Sequence, residues 1–228
     1  MNDFDIAIQE IIEQNVTALF EIERAIFTKR YRLSSKHQDI FAKQSIAMIY
    51  SMWEGFIQTS FNLYIDELNR LEIEFYTFSH EIVIYHMENS FKQFREYPSK
   101  EGQKIKFFQE VKNFHSNERK TISRIVNTQS NVSFNVLNNL LKTFSLQKFP
   151  EHWQNYNYPN PNLKDSMDLF LRLRNTVAHG GDLLSEDTVT QDVYQRFKRL
   201  VEDLMYEIRL KMLKGLTDRT FLQKNTSS

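Results

Sequence analysis

Residues 50–68 read YSMWEGFIQTSFNLYIDEL, and the fold turns on their spacing. Met52, Trp53, Phe56, Ile57, Tyr64, Ile65 and Leu68 recur at intervals of three and four, which stacks them along one wide face of a helix. Extended back through Ile49 and Phe41, the pattern predicts a helix from about Lys36 to Asn69, capped by Ser34 or Ser35 and apolar enough to be the central helix of a core. Gly55 inside that helix costs stability relative to alanine, so it predicts close packing of another helix at that point.

The same periodicity runs outward on both sides. Toward the N-terminus, Phe4, Ile8, Ile11, Ile12, Leu19, Ile22 and Ile26 form one buried stripe between Asp3 and about Thr28. Toward the C-terminus, Ser79 opens an amphipathic segment to about Tyr97, and Ser99 opens another to about His115. The pattern lapses from Asn117 to Ser130 and resumes at residues 133–144, SFNVLNNLLKTF, with Ser133 as its cap. Pro150, Pro159 and Pro161 make Ser145–Asn162 a loop. A helix follows from about Leu163 to His179, with Leu163, Met167, Phe170, Leu171, Val177 and Ala178 apolar, and a last one runs from about Thr188 to Leu213. The expected organisation is a single all-α domain over residues 1–215, with 70–130 as a candidate inserted helical lobe and 216–228 as a flexible, fraying tail.

Composition agrees with helices. Of 228 residues 41% are hydrophobic, with 19 Phe and 10 Tyr, enough apolar surface for a real core. Five Gly and four Pro are too few for the turns of a sandwich or barrel. The chain has no Cys, which excludes disulfides and thiolate metal sites. The N-terminal stretch MNDFDIAIQEIIEQ lacks the basic start and apolar run of a signal peptide, and no stretch approaches a membrane span, so a soluble cytoplasmic protein without a membrane partner is expected. Twenty-nine basic residues balance 29 acidic ones, so any nucleic-acid binding must come from a local patch.

The chemistry concentrates at residues 171–181, LRLRNTVAHGG. Asn175 and His179 are four apart and share a helical face, while Arg174 lies five before His179, about 140° round, an angle a long Arg can span. Gly180 and Gly181 can take the left-handed conformation that ends a helix. A guanidinium grips phosphate in two-pronged fashion, and a His titrates near neutrality. Together they have the minimum equipment for cutting RNA without a metal, although one His does not easily serve as both base and acid. Arg, Asn and His at a helix end also make an ordinary capping and salt-bridge set, so spacing leaves both readings open.

RNTVAH, residues 174–179, resembles the signature of the HEPN (higher eukaryotes and prokaryotes nucleotide-binding) family, in which four to six residues separate a His from a preceding Arg that is itself followed by a polar residue. Arg172 also meets the loose spacing but lacks the following Asn. YSMWEGFIQTSFNLYIDEL and SNVSFNVLNNLLKTFSL resemble segments of the standalone prokaryotic HEPN-like nucleases, and the three matches fall in the family's order over residues 50–181. The resemblance implies an all-α HEPN-like bundle and a homodimer with a composite site, where two copies of His179 supply base and acid. It further implies a metal-independent endoribonuclease without cofactor, acting as a toxin or defence effector, with Arg174, Asn175 and His179 catalytic, RNA as substrate and a cognate antitoxin as a candidate partner. One toxin branch carries a Tyr two residues after the His as the target of antitoxin modification. Here that position is Gly181, so this control is not expected. The family also contains non-catalytic RNA- or protein-binding modules, in which the motif is structural.

Glu54 is a carboxylate on an otherwise apolar face, read either as a structural partner for Arg174 or another cation, or as a residue orienting the motif. Lys29, Arg30, Arg32 and Lys36 form a basic connector that is either a solvated turn or, together with Arg172, a set of RNA contacts. Tyr156 and Tyr158 can stack on an unpaired base or cover the fold. His80, His86 and His115 have no helical metal-ligand spacing, so no metal is expected.

Overall fold

A computed structural model describes residues 3–116, 121–129, 131–154, 162–178 and 189–223. Among them are seven α-helices and no strand: α1 (Asp3–Phe27), α2 (Ser35–Arg70), α3 (His80–Ser90), α4 (Glu101–Ser116), α5 (Phe134–Thr143), α6 (Leu163–Ala178) and α7 (Gln191–Thr217). The all-α expectation holds, and no described helix is long and apolar enough to cross a membrane.

Helix α2 is the centre of the core. Its stripe of Ile46, Ile49, Tyr50, Trp53, Phe56 and Ile57 is almost wholly buried, with α1, α6 and α7 packed around it. Ser34 accepts the His37 N–H at 3.4 Å, Ser133 that of Val136 at 3.2 Å and Thr190 that of Val193 at 3.3 Å, satisfying donors that helix starts leave without internal partners. The Tyr194 hydroxyl donates to Leu19 O at 2.7 Å, and Lys198 pairs with Glu23 at 2.9 Å, so α7 is fastened to α1 by polar contacts at the edge of the apolar layer. Phe170 and Phe197 stack at 4.8 Å where α6 meets α7.

A second, aromatic cluster lies outside the main core. Phe75, Phe91 and Phe107 are buried there, and Phe114 contacts both Phe75 (5.7 Å) and Phe91 (5.5 Å). His86 belongs to it, stacked on Phe114 at 5.3 Å, with Nδ1 accepting the Ser123 N–H at 3.1 Å. Residues 121–129 are irregular, as the lapse in periodicity suggests, but side chains hold them in place. Asn69 brackets Ile122, accepting its N–H at 2.7 Å and donating to its C=O at 3.2 Å, and the Tyr85 hydroxyl donates to Ile125 O at 2.7 Å.

Several expectations are corrected. Phe41 is 48% exposed, because the buried stripe runs through Ala42, about 100° to its side, and Ser45. Helix α3 stops at Ser90 rather than Tyr97, since Phe91 turns to an extended φ of −132° and puts its ring into the aromatic cluster. Ser79 does not cap α3 through its side chain, whose hydroxyl accepts from Ser145 Oγ at 2.7 Å. Ala178 is exposed. A Cβ on Gly55 would meet nothing within 4 Å, whereas one on Gly215 would run into the Leu146 side chain and the Tyr64 hydroxyl. The close approach expected at Gly55 therefore occurs at Gly215. The fraying tail is also corrected up to Gln223: Phe221 is fully buried, and its C=O accepts the Ser79 N–H at 2.7 Å. Residues 224–228 lie outside the described part.

Candidate functional site

Helix α6 buries Leu163, Met167, Phe170, Leu173 and Val177 against the core. That rotation leaves Arg174 and Asn175 half-buried in its last turn, with Arg174 directed at Tyr50 of α2. The Arg174 guanidinium donates to Asn175 Oδ1 at 2.9 Å and lies over the Tyr50 ring, 4.4 Å from its centroid. A cation over an aromatic face is drawn to the ring's negative surface. The ring is itself fixed, meeting Phe170 edge-on at 5.7 Å while its hydroxyl oxygen accepts the Val132 N–H at 2.7 Å. Burial pushes the Tyr50 hydroxyl's pKa up, and nearby Glu54 pushes the same way, against the bond from Val132 and the Arg174 charge. Tyr50 therefore stays neutral.

One turn along α2, about 6 Å, Glu54 reaches the irregular segment instead of Arg174. Thr128 Oγ1 donates to Glu54 Oε1 at 2.7 Å and accepts from Gln58 Nε2 at 3.2 Å. Of the two roles read for Glu54, pairing with Arg174 is not the contact formed. The sequence reading missed Tyr50 and Thr128. Tyr50 sits four residues before Glu54, so the helical spacing that singled out Glu54 also put a ring on the adjoining turn, but nothing in the string tied it to Arg174.

Tyr50→Phe is expected to cost about 1–3 kcal/mol in a denaturant titration, because it leaves the buried Val132 N–H without its acceptor while keeping the ring under Arg174. Tyr50→Leu, which also removes the ring, should cost more. A Tyr50→Phe protein as stable as the parent would show that this N–H is satisfied in another way.

The other sequence candidates are dispersed. Arg172 is exposed on α6, and its C=O accepts from Thr176 Oγ1 at 3.0 Å. Lys29, Arg30, Arg32 and Lys36 are exposed around the α1–α2 turn, with Arg30 over the Tyr31 ring at 5.7 Å and Arg32 at a left-handed φ of 47°. Lys36 is 14 residues from Tyr50 on the same helix, about 21 Å, so this cluster does not join Arg174 within one chain. His179, Gly180, Gly181, Tyr156 and Tyr158 lie outside the described residues.

The arrangement offers a cation held at a helix end, an amide beside it and a carboxylate one turn away, ahead of a histidine in sequence. Compared with known families, residues 8–214 match the RiboL-PSP-HEPN family. The chain belongs to that family. No curated protein and no solved structure matches it. The HEPN match begins within α1, ends within α7 and takes in Tyr50, Glu54, Arg174, Asn175 and His179. The candidate site thus lies wholly within the HEPN region, whose all-α character this chain shares.

Proposed function

We propose that this HEPN protein is a metal-independent endoribonuclease that works as a homodimer, with a composite site formed from two copies of the Arg174–His179 motif. The observation that carries the reading is Arg174, kept as a fixed cation over Tyr50 and beside Asn175, five residues ahead of His179 in a chain of this family. One His179 takes the proton from a ribose 2'-hydroxyl. The resulting oxygen attacks the adjacent phosphorus, Arg174 stabilises the charge on the pentacoordinate phosphate, and the 5'-oxygen leaves with a proton from the partner copy's imidazole. The products are a 2',3'-cyclic phosphate and a 5'-hydroxyl. Asn175 orients the guanidinium through its side-chain oxygen, and Glu54 secures the segment at Thr128. Its biological role is that of a cytoplasmic toxin or defence effector, restrained by a cognate antitoxin.

The test is incubation of the purified protein with mixed RNA in excess EDTA. Fragments with cyclic phosphate ends, formed at the same rate without chelator, are expected. Cleavage that stops in EDTA and returns with a divalent ion would overturn the mechanism.

A second reading, a non-catalytic RNA- or protein-binding module, draws on the same contacts. The contacts of Arg174 with Tyr50 and Asn175 lie within its own chain, as a structural arginine's would. If that reading holds, Arg174→Ala lowers the melting temperature while leaving ligand binding intact.

A further inference from the structure

A groove between α3 and α5 begins beside the candidate site. Asn127 and Gln129 line it and flank Thr128, whose hydroxyl bonds Glu54 at 2.7 Å, so the segment that closes the site on one side walls the groove on the other. This cavity has a volume of about 530 Å³, and Asn139 and Asn89, whose amide also donates to Ile125 O at 3.4 Å, line it too. A second cavity, of about 720 Å³, shares Glu81 and Lys142 with the first, so the two adjoin along one face and count together as one groove. The second extends past the ends of α5 and α7 to Lys148 and Arg219.

The charges along this path are uneven. Glu88 is paired with Arg95 at 3.2 Å and Asp218 with Lys214 at 2.6 Å, which neutralises two of the acids that line the groove. Among the described residues no carboxylate lies within ion-pair distance of Lys142, Lys148 or Arg219. A chain with zero net charge thus leaves Lys142, Lys148 and Arg219 along the second cavity against one acid, Glu81, that no described cation pairs, while amides line the first cavity. Side-chain amides present a donor and an acceptor together, the pattern that reads base edges, while lysine and arginine bind phosphates. Ile84, 55% exposed on the wall, offers an apolar surface for a base.

We propose that this groove holds single-stranded RNA next to the bond cut at the Arg174–His179 site, with Asn89, Asn139 and Gln129 facing bases and Lys142, Lys148 and Arg219 facing phosphates. The proposal rests on the nuclease reading for the location of the cut. Unpaired bases are required, because in a duplex the Watson–Crick edges are taken up in pairing and the helix is recognised mainly by shape, 2'-hydroxyls and phosphates. An acidic protein segment would use the cations but leave the amides and Ile84 without a purpose.

The experiment is a fluorescence anisotropy titration of labelled single-stranded and duplex RNA into the full-length His179→Ala protein, which separates binding from cleavage. It is repeated with Lys142→Gln, Lys148→Gln and Arg219→Gln combined. Single-stranded RNA is expected to bind more tightly than duplex. The triple variant should weaken that binding at least tenfold and flatten the dependence of log K on log salt by about 2, at about 0.7 for each lost phosphate contact. Asn139→Leu alone should weaken the single strand and leave the duplex unchanged. Binding unchanged in the triple variant, or no RNA binding by the His179→Ala protein, overturns the proposal, and the latter would turn attention to a protein occupant. If the wild type cuts no RNA while groove variants still lose binding, the nuclease reading falls and the groove stands.

Discussion

His179→Ala is expected to lower kcat/KM for RNA cleavage by about 10³-fold while leaving the melting temperature unchanged. General acid–base catalysis contributes typically 10²–10⁴-fold, and in the proposed site this residue supplies both proton transfers, one from each copy. Arg174→Ala should lower cleavage by a comparable factor but behave differently in a melt, because it also removes a cation from the Tyr50 ring and a donor from Asn175. The pair of variants therefore separates the two functional readings. Loss of cleavage without loss of stability at position 179 supports catalysis, whereas an active His179→Ala protein would leave the motif a structural one.

Mixing tests the composite site itself. When wild type and His179→Ala are unfolded together in equal amounts and refolded, random pairing makes roughly a quarter of the dimers wholly wild type. If each cut needs imidazoles from both copies, activity falls to about that quarter of an all-wild-type sample at the same total concentration, whereas independent sites would retain about half. An outcome near half would put both proton transfers within one chain, a role for which a single His179 is poorly suited.

The legibility of this chain in its sequence follows the range of the interactions involved. Helix α2 could be read from residues 50–68 because burial of one face imposes its period locally. Ser133 and Thr190 cap helices near the expected starts because a hydroxyl and the N–H three residues on are fixed by the chain itself. What could not be read depends on partners far away in sequence. Tyr50 was not singled out, because its role comes from Arg174, 124 positions later, which places its charge over the ring, and from Val132, which bonds its hydroxyl. Glu54 was visible as an anomaly, but Thr128, its partner, is an unremarkable residue in a stretch without periodicity. The two glycines show the same limit: Gly55 and Gly215 look alike in the string, and only the neighbouring Leu146 and Tyr64 make the second one necessary.

The tail is the largest departure from the sequence reading, and it carries the other strong prediction. Polar residues dominate 218–228, which suggests fraying, yet Phe221 turns back into the core after α7. Its ring meets Phe78 at 6.1 Å, its C=O accepts the Ser79 N–H, and Gln223 N donates to Thr77 O at 2.9 Å. These contacts join the end of α7 to the start of α3, where the groove proposed for RNA is also built. Phe221→Ala should cost about 3–5 kcal/mol, since truncating a buried ring loses its transfer free energy and leaves a cavity. For a chain of this size that is a fall of roughly 10 °C in melting temperature, measurable by circular dichroism. Gln223→Ala keeps the backbone bond to Thr77 and loses only an exposed contact with Tyr76 O, so it should change stability by about 0.5 kcal/mol at most. Equal melting of the parent and Phe221→Ala would mean that the tail frays in solution, as its composition suggests. A large loss confined to Phe221 would mean that a single aromatic residue secures the C-terminal segment against the bundle.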